Sequence, residues 1–273
     1  NTFNAGQLSF SGSAPEGFSS WTSNIQSNPS IEDGTSYFQT TLYTGNGSTR
    51  NIDQSGNSSF QPDLVWLKNR DTTDEHKWVD AARAVQKEIS SDSTSTESTD
   101  SNGLTSFDSD GFGLGSGADG YNDNSETFVA WQWRTEGGAG SSNTDGSINT
   151  TTTSVSTTSG ISISTYTGTG SAATIGHGLG KAPKMIIVKN RSATNAWAVY
   201  HEEVSSGPET DYLVLDTTAA AVDDDGYWND TAPTSSVFSI KDDSAVNTSS
   251  ATYVAYAFAE IEGFSSFGKY EGN

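Results

Sequence analysis

Two runs dominate the pattern of apolar and polar positions. Residues 62–70 read PDLVWLKNR and residues 183–191 read PKMIIVKNR. Each opens on proline, continues through four apolar residues and closes on Lys-Asn-Arg. An apolar run without alternation predicts a strand covered on both faces. Pro62 and Pro183 stand just ahead of it, where a missing N–H costs least. The Lys-Asn-Arg ends are expected near solvent. Two other runs alternate: TFVAWQW at 127–133 sets Val129, Trp131 and Trp133 on one face, and TYVAYAF at 252–258 does the same with Val254, Tyr256 and Phe258. A shared face with valine reads as a core stripe rather than as a platform for sugar rings. LYTGNGS at 42–48 and TYTGTGS at 165–171 read as an aromatic strand end followed by glycine turn chemistry.

These pairs of runs occur in the same order with nearly constant spacing, which marks an internal duplication. It divides the chain into an N-terminal arm (1–36), a first repeat (37–136), a linker (137–159), a second repeat (160–262) and a C-terminal strand (263–273). The linker is rich in Ser, Thr and Gly and reads as an extended connection, because Thr-rich segments favour β dihedrals. Within the first repeat, VDAARAVQKEI at 79–89 is the one plausible helix; its counterpart NAWAVYHEEV at 195–204 reads as a strand. Aspartate-glycine turns follow in both, DSDGFGLG at 108–115 and DDDGYWN at 223–229. EGFSSW at 16–21 reappears as EGFSSF at 262–267, and the closing YEGN resembles the YTGN that opens the first repeat. The chain therefore stops where a third unit would begin. With no initiator methionine, it is expected to be a processed product or a piece of a longer array. Phe3, Leu8 and Phe10 near the start, and Phe267, Lys269 and Tyr270 near the end, are the candidate assembly residues, as strands offered to a neighbouring sheet.

Composition supports an all-β reading: 28 glycines, abundant Ser, Thr, Asn and Asp, and 7 Trp, 10 Tyr and 12 Phe to fill cores. There is no cysteine, hence no disulfide and no thiolate metal site. The formal net charge of −21 disfavours binding to nucleic acid or an anionic membrane surface. No apolar run approaches the roughly 20 residues of a membrane-spanning helix, so no membrane insertion is expected.

Catalytic constellations are missing. GHGLGK at 176–181 lacks the glycine and the Ser/Thr a phosphate-binding loop needs, and reads as a tight turn. His76, His177 and His201 have no metal-ligand spacing. No G-x-S-x-G elbow occurs. Glu202 and Glu203 are adjacent, so on a strand they point to opposite faces. The chain is therefore expected not to be an enzyme; a glycan depolymerase is a remote alternative. Two weaker signals remain. Asp108 and Asp110, with Asp119, Asp123 and Glu126 nearby, and Asp223 and Asp225 in the second repeat, resemble oxygen-rich calcium loops, although Asp-Gly turns alone account for them. Tyr121, Tyr227 and Trp228 lie on loops and are the candidate glycan contacts.

The order Y-T-G-N-G, P-D-L-V-W-x-K-N-R, S-D-G-F and F-V-A-W-x-W resembles an uncharacterised repeat domain of bacteriophage structural proteins, notably tail- and fibre-associated proteins of aquatic phages. GHGLGKAPKMIIVKNRS at 176–192, followed by WAVYH at 197–201, is similar to the same family. The resemblance covers roughly residues 37–273. It implies two tandem β-sandwich units of jelly-roll or lectin-like form and a virion or extracellular structural role, and supplies no catalytic residues. No cofactor is expected, with calcium at the acidic loops named above as the alternative. The expected function is that of a filament subunit whose partner is itself. A glycan-binding adhesion module for cell-surface sugars is the alternative.

Overall fold

The computed structural model describes residues 29–116, 120–135 and 137–270. The fold is all-β, built of several antiparallel sheets, none closed into a barrel. The first nine strands are β1 (Phe38–Thr44), β2 (Arg50–Asp53), β3 (Leu64–Asn69), β4 (Lys77–Asp80), β5 (Lys87–Ser90), β6 (Ser98–Thr99), β7 (Leu104–Asp108), β8 (Gly111–Leu114) and β9 (Thr127–Trp133). After them come β10 (Thr152–Ser156), β11 (Ile161–Thr167), β12 (Ala173–Gly176), β13 (Met185–Asn190), β14 (Ala198–His201), β15 (Asp211–Val214) and β16 (Val222–Asp223). A single helical turn, α1 (Asp225–Trp228), leads to β17 (Val237–Ile240) and β18 (Thr252–Phe258).

Two large sheets share one strand order. The first runs β1-β9-β3-β4-β5-β6; the second runs β10-β11-β18-β13-β14-β15-β16. Leave out β10 and the two orders match position by position. The registers match as well. Thr40, Trp131, Trp66, Trp78 and Ile89 form one row across the first sheet. Ile163, Tyr256, Ile187, Val199 and Leu213 form the same row across the second. Each large sheet also carries a small companion sheet, β2-β8-β7 for the first and β12-β17 for the second.

The unbroken apolar runs now have a physical cause. Leu64 and Trp66 point to one side of the first sheet, and Val65 and Leu67 to the other, where Ile52, Phe112 and Leu114 of the small sheet meet them. Met185 and Ile187 likewise point one way in the second sheet, and Ile186 and Val188 pack against Ile175, Phe238 and Ile240. The sides carrying Leu64, Trp66, Met185 and Ile187 face each other. Leu64, Trp78 and Ile89 share a single core with Ile161, Ile163, Ile187, Trp197, Val199, Val254 and Tyr256. The result is four layers, small sheet, large sheet, large sheet, small sheet, so central strands need apolar residues at every position. The ring of Trp78 lies 4.7 Å from Tyr256 and 5.4 Å from Trp197, both edge-on.

Three local expectations are corrected. Residues 79–89 form no helix. Asp80 accepts from the Arg83 backbone N–H at 2.9 Å, and Ala84 and Gln86 take positive φ of 81° and 64°, so the chain turns from β4 into β5. A short polar side chain bonding its own backbone competes with helix formation. Residues 137–159 are extended in part, as expected, but are more than a linker. They carry β10, whose Thr152 hydroxyl meets that of Thr165 on β11 at 2.6 Å, and Ile148 is buried beside Ile175. Thr-rich sequence suits a half-covered edge strand. The described part of 263–273 holds no strand: Ile261 and Ser265 close a turn, Phe264 lies 6.3 Å from the ring of Tyr37, and Phe267 lies 6.4 Å from that of His201.

Candidate functional site

The Lys-Asn-Arg ends do not simply dangle in solvent. Asn190 is fully buried and organises the turn after β13: its Oδ1 accepts from the backbone N–H groups of Ser192 and Ala193, and its amide donates to the Ser244 carbonyl and Tyr253 hydroxyl, each at 3.1 Å. Lys189 is also buried. Its ammonium donates to the carbonyls of Asn190, Asn195 and Thr94, the last reached from the loop between β5 and β6. Burial lowers its pKa to about 8, with Asp216 acting in the opposite direction. Arg191 donates two bonds, at 2.8 and 3.0 Å, to Glu97 of the same loop. Lys-Asn-Arg is thus a turn clamp, and in the second sheet it is also where the first sheet's loop docks.

That docking continues inward. Glu97 accepts from Arg83 at 3.2 Å, Arg83 pairs with Asp80 at 2.5 Å, and the Tyr256 hydroxyl donates to Asp80 at 2.7 Å. Asp80, Arg83 and Tyr256 are all buried. Burial pushes the Tyr256 phenol well above its usual range, with Arg83 opposing, so it is a neutral donor. Burial raises the Glu97 carboxyl, but hydrogen bonds from Arg191 and the charges of Arg83 and Arg191 outweigh it and leave the pKa lowered. Trp197 Nε1 completes the seam by donating to the carbonyls of Ser90 and Ser93 at 3.0 and 3.1 Å. Nothing in the sequence pattern announced this chain of charges. Its one visible sign is an arginine inside an otherwise apolar run, three residues after an aspartate.

In the first sheet the same clamp faces acids. The amide of Asn69 donates to Asp74 at 2.7 Å and to Glu126 at 2.5 Å, and Asp123 accepts from the Gly120 N–H at 2.9 Å. Oxygen atoms of Asp74, Asp123 and Glu126 all lie within 4.8 Å of one another. Among the described residues no Lys or Arg forms an ion pair with any of the three carboxylates, although the Lys68 ammonium donates to the Asp74 backbone carbonyl at 3.0 Å. Three carboxylates on two loops form the kind of hard-oxygen set that suits a calcium-like cation. Asp123 and Glu126 stood out in the sequence as part of an acidic loop. Asp74 did not, because it arrives from the loop after β3.

The other candidate residues lie apart from this acidic cluster. Asp108 and Asp110 flank the tight turn between β7 and β8, while Asp223 pairs with Asp211 across an edge and Asp225 forms an ion pair with Lys241. These four belong to no three-acid group among the described residues. Tyr121, Tyr227 and Trp228 are buried rather than displayed. The Tyr121 hydroxyl donates to Glu88 at 2.6 Å, Tyr227 stacks on Tyr212 at 3.6 Å, and Trp228 packs edge-on to Tyr200 at 6.0 Å. A ring with both faces covered cannot stack on a sugar. Of the assembly residues, Phe3, Leu8 and Phe10 lie outside the described residues. Phe267 lines a crevice of about 50 Å³ with Tyr37, Trp133 and Phe258, and Lys269 and Tyr270 are exposed, Tyr270 by 94%.

A family model described as a domain of unknown function, DUF7483, matches residues 33–273. The chain belongs to the DUF7483 family. No curated protein matches the sequence. The family's match begins just before β1 and takes in both large sheets, so the four-layer body is what a DUF7483 sequence encodes here.

Proposed function

We propose that this DUF7483 chain is a non-enzymatic structural protein, a subunit of a phage tail-fibre-like or other extracellular filament that assembles with copies of itself. The two large sheets with their companions are read as tandem copies of one β-sandwich unit. One observation carries the proposal: equivalent five-residue rows occur in the two large sheets, and the Trp78–Ile89 end of the first meets the second in one core. A β-unit that binds a β-unit is the product of this sequence. The chain's charged and polar chemistry supports the same reading. Asp80, Arg83, Glu97, Arg191 and Lys189 are engaged in joining the two sheets. The net charge of −21 suits a surface that shuns nucleic acid and stays soluble outside the cell.

The test is electron microscopy and light scattering of the full chain over a concentration series. The proposal expects regular oligomers or fibres in which the body described above is the repeating element. Dispersed monomers at every concentration and ionic strength would contradict it.

A further inference from the structure

The large sheets have four outer edges, and they are treated differently. β6 and β16 are two residues long and leave little to pair with. The outer side of β10 is bridged by Ser141, whose N–H and C=O exchange bonds with Thr153. Blunting and covering are how native sheets avoid pairing with other chains. Among the described residues β1 has neither protection. It is seven residues long, and among the described residues no strand lies on its outer side.

The direction of its hydrogen bonds follows from the register. Arg134 N–H donates to the Tyr37 carbonyl and Gly45 N–H to the Glu126 carbonyl, so Gln39, Thr41 and Tyr43 also bond inward to β9. Phe38, Thr40, Leu42 and Thr44 then present their backbone groups outward. Among the described residues only the Thr44 carbonyl has a hydrogen bond there, from Arg50 at 2.7 Å. The same strand is open on its face. Thr40, Leu42 and Thr44 are exposed, Leu42 by 63%. Beside them lie Val129 and the half-buried Trp131.

We infer that the outer edge of β1 is a self-association surface that pairs antiparallel with β1 of a second copy. This rests on the self-assembly reading above and names its joint. Two observations favour a second copy over another partner. First, the molecule shows what this kind of edge accepts. β11 holds the position of β1 in the second sheet, and it is covered by β10, TTSVS, an uncharged Thr- and Ser-rich strand. β1, FQTTLYT, is likewise uncharged and carries three threonines. Second, β1 carries no charge in a chain of net charge −21, so two copies meet there without placing like charges opposite each other. The register that pairs all seven residues sets Thr40 opposite Leu42 of the second copy and Phe38 opposite Thr44. It satisfies the outward N–H and C=O groups and covers Leu42. Such a contact is two-fold and closes on itself. It therefore supplies one joint of a longer assembly and not every joint.

The experiment is sedimentation velocity on the full chain, the Leu42→Lys variant and the Val222→Lys variant. Val222 is 46% exposed on β16, at the far edge of the other sheet, and serves as the control. Both substitutions fall on exposed side chains, and circular dichroism checks that each variant folds. The expected result is reversible dimerisation of the unmodified chain, strengthened by added salt as the acidic surfaces are screened. Leu42→Lys should weaken it by about tenfold or more by placing two ammonium groups diagonally across the seam, and Val222→Lys should leave it unchanged. Dimerisation that survives Leu42→Lys overturns the β1 joint while leaving self-assembly standing. A chain that stays monomeric up to roughly 100 μM in high salt overturns both.

Discussion

β1 and β11 hold the same place in their sheets, lead into the same aromatic-glycine turn, and lie in opposite environments. Ile161 and Ile163 of β11 are buried in the core between the sheets, whereas their counterparts Phe38 and Thr40 are half-buried and exposed. The cause is an offset in the docking. The second sheet contributes β11, β18, β13 and β14 to the shared core, while the first contributes mainly β3, β4 and β5. The first sheet's β1 end overhangs. Residue choice follows the offset: isoleucine where the position is covered, threonine where it is not. The Lys-Asn-Arg turns differ for the same reason. Lys189 and Arg191 are covered by the loop carrying Thr94 and Glu97, whereas Lys68 serves its own loop, bonding the carbonyls of Thr72 and Asp74, and Arg70 is exposed. One sequence motif therefore gives a docking site in one sheet and a free turn in the other.

The sharpest way to break the comparison is to place the same charge in both strands. Ile163→Lys buries an unpaired ammonium and should cost more than about 4 kcal/mol, enough to leave little folded protein. Thr40→Lys should stay within about 0.5 kcal/mol of the parent in denaturant unfolding. Next in size is the seam. Asp80→Ala strips Arg83 of its nearest partner and Tyr256 of its acceptor, and should cost about 3–5 kcal/mol by the same measurement. Trp78→Ala should cost a similar 3–5 kcal/mol, and Trp131→Ala, on the overhanging part of the row, distinctly less.

A smaller effect is set by pH. The Glu97 carboxyl is depressed in the folded chain, below its ordinary value of 4.5. A depressed carboxyl stabilises the fold above the unfolded value, and that contribution is lost as pH falls through the folded one. Thermal melting between pH 7 and about 3 should therefore show a decline that Glu97→Gln makes shallower. The smallest effect sharpens the comparison: Thr40→Ile, which copies β11 into β1, should change stability by less than about 0.5 kcal/mol. It should also tighten any pairing through the β1 edge.

How much of this was legible in the sequence depends on the range of the interaction involved. PDLVWLKNR and PKMIIVKNR announced strands covered on both faces, because burial on two sides writes itself into consecutive residues. The stripe of Val254, Tyr256 and Phe258 announced a core for the same reason. What the pattern did not carry was which surface covers which. The second face of each central strand is covered by the other large sheet, so the sandwich that matters joins the two halves and the Thr-rich connection between them is part of it. Residues 79–89 have helical spacing, but Asp80 and Arg83 are held by Tyr256 and Glu97, far along the chain. Tyr121, Tyr227 and Trp228 sit in glycine- and aspartate-rich loops, and only the folded chain shows those loops tucking their rings inside. Asp74 joins Asp123 and Glu126 only because Asn69 gathers two loops.

The central claim is that the two large sheets are one body with a shared core. Hydrogen exchange followed by mass spectrometry, comparing Trp78→Ala with the parent, tests it most directly, since Trp78 belongs to the first sheet and touches Tyr256 and Trp197 of the second half. A shared core predicts that protection falls in β13 and β18 together with β3 and β4. Protection lost in β3 and β4 alone, with β13 and β18 unchanged, would contradict it and leave two independent sheets in mere contact.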